Sequence, residues 1–140
     1  MANPGAATTV TNHPSNLATN QALRLIASAQ GVNLNAVADT IAPILVAGNV
    51  SVQSIIVANA SVSLSSAQLA VYTGAGATGT TVKSAYALSG NTSSAKVVVT
   101  AATSTDVVSS TPLYIRCTTV QGAAATADVF IYGYDLTFLP

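Results

Sequence analysis

Charge is what this sequence has least of. Only eight of its 140 residues are charged, and glutamate is absent. The acids are Asp39, Asp106, Asp128 and Asp135; the bases are Arg24, Lys83, Lys96 and Arg116. A soluble domain is ordinarily roughly 25% charged, against 6% here. Each shortage excludes a chemistry. Binding a phosphate backbone needs clustered Lys and Arg, and these four bases are scattered, so nucleic acid is not an expected partner. Metal sites need clusters of His, Cys and carboxylate ligands; none is visible, and neither a metal nor a cofactor is expected. The lone cysteine, Cys117, excludes an intramolecular disulfide framework and reads as a small buried hydrophobe. The lone histidine, His13, would have to serve any Ser-His-Asp triad from a polar segment with no visible support, and no G-x-S-x-G elbow exists. The chain is therefore not expected to be an enzyme. The start, Met1 to Gly5, lacks the basic and apolar regions of a signal peptide. No apolar run nears the about 18 residues of a membrane span; Ile41 to Ala47 is short and broken by Pro43. Export and membrane insertion are not expected.

What is present is apolar, β-branched and hydroxyl-rich. Half the residues are hydrophobic, enough for a core, and solubility falls to Ser, Thr, Asn and Gln. A net charge of zero leaves nothing to repel neighbouring copies, which favours self-association. The length fits one domain. Residues 1–20, small and polar, read as an extended N-terminal arm without a core of its own. Residues 21–140 read as a single β-sandwich domain. Within 21–30, Asn20 and Gly31 suit the ends of a short helix, whereas Leu23, Leu25 and Ala27 suit a strand, which the later texture favours.

From residue 32 on, runs of Val, Ile, Thr and Tyr alternate with Gly, Asn, Ser and Pro. Expected strands are 44–46, 50–58, 68–73, 81–87, 96–101, 113–119 and 127–138. In 113–118, Leu113, Ile115 and Cys117 share one face. In 127–134, Val129 and Ile131 lie opposite Asp128, Phe130, Tyr132 and Tyr134. The short connection between these two strands predicts an antiparallel hairpin, with Arg116 and Asp128 as cross-strand partners. Strands in this number and spacing predict an all-β antiparallel sandwich, a jelly roll first and an immunoglobulin-like sandwich second.

Several motifs dissolve on inspection. Gly74-Ala-Gly-Ala-Thr-Gly79 matches the dinucleotide fingerprint, but poor helix formers follow it and no acid stands about 20 residues on. A β-turn is expected. Asp39-Thr40 lacks the glycine and the second copy of an aspartic-protease site. Asp106, after Ser104-Thr105, suits turn chemistry. Asn49, Asn59 and Asn91 begin glycosylation sequons, which read as chance in an Asn- and Ser-rich chain.

The aromatic set Tyr114, Phe130, Tyr132, Tyr134 and Phe138 is the candidate interface, since Tyr joins a large apolar face to a hydroxyl and the cores of interfaces are depleted in charge. Stretches from Ser54 to Ser63, Ala67 to Gly76, Tyr86 to Leu88 and Pro112 to Gly133 resemble head cement or decoration proteins of tailed bacteriophages, nearest in character to the jelly-roll cement protein of the Bordetella short-tailed phage type. The resemblance spans about residues 44–136 and implies a structural role with no catalytic residues. It implies a protein made in the host cytoplasm that binds the major capsid protein on the outer surface of the virion. It also implies copies that associate with one another, for which a dimer is expected ahead of a trimer. The other expectation, from a different class, is a receptor- or glycan-binding module of a phage tail or surface structure.

Overall fold

The computed structural model describes residues 23–100, 106–108 and 112–136. The expected arm at 1–20 and Phe138 lie outside them. Among these residues nine strands are present: β1 (Arg24–Asn33), β2 (Asp39–Ala42), β3 (Asn49–Ala58), β4 (Gln68–Gly74), β5 (Thr78–Ala87), β6 (Val97–Thr100), β7 (Asp106–Val108), β8 (Leu113–Thr119) and β9 (Thr126–Asp135). They form two antiparallel sheets, one ordered β1-β9-β3-β6 with β7 also on β3, the other β2-β8-β4-β5. The pairing is nested: β1 with β9, β2 with β8, β3 with β6 and β7, and β4 with β5. The chain is thus one long hairpin rolled into a sandwich, which is the jelly-roll plan.

Period-two burial explains the packing. Along β9, Ala127, Val129 and Ile131 point inward, and along β8, Leu113, Ile115 and Cys117 do the same. β3 changes phase once: Val50 and Val52 are buried, then Ile55 and Val57. A bulge between Val52 and Ser54 against β9 takes up the extra residue and keeps all four side chains in the core. Ile26, Leu34, Leu69, Val71 and Leu88 complete the interior, each fully buried.

The segment at 21–30 resolves as strand from Arg24 onward. The expected hairpin of β8 and β9 does not form, because the two strands lie in different sheets. Their connection crosses the end of the sandwich, held where Gln121 N–H donates to the Leu34 carbonyl (2.8 Å) and Leu34 N–H to that of Ala125 (2.9 Å). The strand expected at 44–46 reduces to a bridge between Ile44 and Ala27, as Pro43 interrupts the run. That bridge, with Leu45 N–H donating to the Ile26 carbonyl at 2.7 Å, stitches the β1 edge to the segment following β2. With charge scarce, an amide anchors a long loop: Gln121 Oε1 accepts from the N–H groups of Ser65, Ser66 and Ala67 at 3.1–3.2 Å.

Candidate interaction face

The outward residues of β9 are Asp128, Phe130, Tyr132 and Tyr134, all half-buried. Because β9 lies between β1 and β3, the register gives each aromatic its neighbours. Phe130 stands between Ser28 and Ile56, and Ile56 stands beside Val98 of β6. Tyr132 stands between Leu25 and Ser54, and Tyr134 beside Ser51. Phe130, Ile56 and Val98 make an apolar row, and Val98 is 55% exposed. The next rows set tyrosine against serine, a ridge of rings along a furrow of hydroxyls. Among the described side chains, charge stands at the ends of the face. Asp128 is at one end; at the other, Arg24 Nη1 meets the buried Asp135 Oδ2 at 3.2 Å.

The five sequence candidates therefore divide. Phe130, Tyr132 and Tyr134 are brought together. Tyr114 sits on the outer face of the other sheet, between Ile41 of β2 and Tyr72 of β4, with Ile41 59% exposed. Leu25, Ile56 and Val98 stand outside the aromatic set that the sequence offers. Their signal is positional, residing in which strands neighbour β9.

The expected Arg116–Asp128 pair is replaced by two separate arrangements, since β8 and β9 are in different sheets. Arg116 Nη1 bonds Asp39 Oδ1 at 2.8 Å, and Asp39 Oδ2 accepts the Gly76 N–H at 2.6 Å. Asp128 accepts from Gly31 N–H and from Asn59 Nδ2, each at 2.9 Å. The Asp39 contact pins the glycine-rich stretch, which is the β4–β5 turn and opens no helix. Its backbone is left-handed at Gly76, Ala77 and Gly79; at Gly79 a Cβ would also meet Thr73 Oγ1 at 2.5 Å, so glycine is required there.

Burial pushes the Asp39 carboxyl up, but the Gly76 N–H and the Arg116 guanidinium outweigh it, and its pKa falls below the ordinary 3.8. A carboxyl depressed by folding stabilises the native state fully above the unfolded pKa, and this is lost as pH falls through the folded value. Thermal melts of the wild type should therefore drop on acidification below pH 3.8. Asp39→Asn should melt lower than wild type at neutral pH and lose less of its melting temperature in acid. Parallel acid profiles for the two proteins would refute this.

Among the described residues, no three His, Cys, Asp or Glu side chains group to hold a metal. Cys117 is buried, its thiol pushed up by burial, and donates to the Thr119 carbonyl at 3.3 Å. Burial likewise pushes the Tyr86 hydroxyl well above its ordinary range. Of the sequon asparagines, Asn49 and Asn59 are exposed, while Asn91 is fully buried and beyond reach of modification in the folded chain. No protein-family model and no curated protein matches the sequence.

Proposed function

We propose that the protein is a capsid cement protein that binds the outside of a viral head shell, bridges neighbouring capsomers and stabilises their joints. Its partners in this reading are the major capsid protein and further copies of itself. The observation that carries the reading is the outer face of the β1-β9-β3-β6 sheet, an aromatic and hydroxyl surface with its charges at the ends. Such a face docks without desolvating ions, whose burial is costly. Strands about 4.8 Å apart and about 33 Å long give it roughly 600 Å², below the about 800 Å² per partner of a standard interface. A single contact of this size is weak; repeated by symmetry over a shell, such contacts sum through multivalency. The resemblance to phage cement proteins supports the same role.

Addition of the recombinant protein to emptied, cement-free shells tests it. Binding should saturate at a fixed ratio to the major shell protein. Occupancy should change less than about threefold between about 0.05 and 0.5 M NaCl, because few charges are available to be screened. Failure to bind shells, or release by moderate salt alone, would overturn the proposal.

A further inference from the structure

Where β3 ends and β6 begins, Ala58, Asn59, Ser93, Ser94, Ala95 and Lys96 line an open cavity of about 300 Å³, at the lower end of ligand-site volumes. Its frame is built from within. Asn59 takes the left-handed conformation, φ 53°, and its Nδ2 donates to Asp128 Oδ2, while Asp128 Oδ1 is held by Gly31 N–H. Across the cavity, Thr92 Oγ1 accepts the N–H groups of Ser94 (3.2 Å) and Ala95 (2.9 Å), and Thr92 N–H donates to the Ala95 carbonyl at 3.0 Å. These bonds commit one Asn59 side-chain N–H and the backbone N–H groups of Gly31, Thr92, Ser94 and Ala95 to the frame. The Ser94 hydroxyl also pairs with Thr92 Oγ1 at 3.4 Å, so the Lys96 ammonium, the Ser93 hydroxyl and the Asn59 Oδ1 remain for a ligand. Lys96 has no carboxylate partner among the described residues.

One cation, one hydroxyl and one carbonyl acceptor match a carboxylate flanked by hydroxyl groups. Ala58 and Ala95 supply apolar walls for the C–H face of a ring. We propose that this cavity binds the sugar-acid residue of an acidic saccharide, a uronic acid being the simplest case. This is a second activity, independent of shell binding, and an array of copies on a particle would multiply a weak site into adhesion to an acidic polysaccharide.

The test is titration of the ¹⁵N-labelled full chain with sodium glucuronate, glucose, acetate and phosphate, followed by amide chemical shifts. Glucuronate should shift the amides of Asn59 and residues 93–96 with a millimolar dissociation constant. Glucose and acetate should each bind about tenfold more weakly, since each supplies half of the recognised chemistry. Lys96→Gln should weaken glucuronate binding about tenfold through loss of the charge-assisted bond. Lys83→Gln, which removes the same charge from β5 of the other sheet, should leave it unchanged. Absence of shifts at these amides, or an effect of Lys83→Gln equal to that of Lys96→Gln, would overturn the proposal. So would acetate or phosphate binding as tightly as glucuronate, which marks a plain anion site.

Discussion

Gly133→Ala should lower stability by about 3 kcal/mol or more. Gly133 lies within β9, opposite Arg24 on β1 and Val52 on β3. A Cβ there would meet the Ser51 carbonyl oxygen at 2.1 Å, the Ser51 carbonyl carbon at 2.9 Å and Val52 Cα at 3.0 Å. All three are backbone atoms, so no rotamer change relieves the clash. The constraint is space, created where the β3 bulge begins beside β9. Relief would push β3 off β9 and loosen the ladder that aligns Ile55 with Ile131 and Val57 with Val129. Thermal unfolding should show a loss of roughly 10 °C. Gly122→Ala is the comparison, for there a Cβ meets nothing within 4 Å and only the φ of +84° opposes it; it should cost about 1 kcal/mol. Melting of Gly133→Ala within about 2 °C of wild type would show that the strands part more easily than this packing allows.

The second large effect concerns attachment. Phe130→Lys combined with Tyr132→Lys should weaken binding to shells by about a hundredfold or more while the protein stays folded. Both side chains point away from the core, so lysine costs little in the free protein. At a contact, two central aromatic anchors are lost and two ammonium groups must shed water; either is worth about 2 kcal/mol. Tyr114→Lys places the same change on the outer face of the other sheet and should leave shell affinity within about threefold of wild type. Equal loss from Tyr114→Lys would remove the assignment to the β1-β9-β3-β6 face. Undiminished binding by the double variant would do the same.

The strands themselves were legible because their side chains alternate. Leu113, Ile115 and Cys117, and then Val129 and Ile131, announce their inward faces locally. Partnership between strands is not local. β1 and β9 pair across about a hundred residues, Arg24 with Gly133, and no short window of sequence records that. The β8–β9 connection has hairpin length, and only the competing claims of β4 on one strand and β3 on the other carry it across the sandwich. β2 is hard to see in the sequence since it is four residues long and opens on Asp39-Thr40, which resemble turn residues. β7 hides in the same way, since Asp106 after Ser104-Thr105 has turn chemistry. Of the candidate interface, Phe130, Tyr132 and Tyr134 were visible as alternate residues of one strand. Ile56 and Val98 joined them only through register, and Tyr114 left them because its strand belongs to the other sheet.

The nested pairing also sets an order of events in folding. β9 is synthesised after the other eight described strands, yet it occupies an interior position in its sheet, between β1 and β3. Until it emerges from the ribosome, β1 lacks its partner and β3 lacks one side. Among the described strands only the β4–β5 pair closes locally, so its hairpin is the natural first structure, with pairing then propagating outward to β1 and β9 as loop closure is paid over ever longer spans. Folding should be slow for a chain of this size, on the order of milliseconds to seconds, and cooperative to the last strand. A chain shortened before Thr126 would keep its local hairpin and lose the strand that joins β1 to β3.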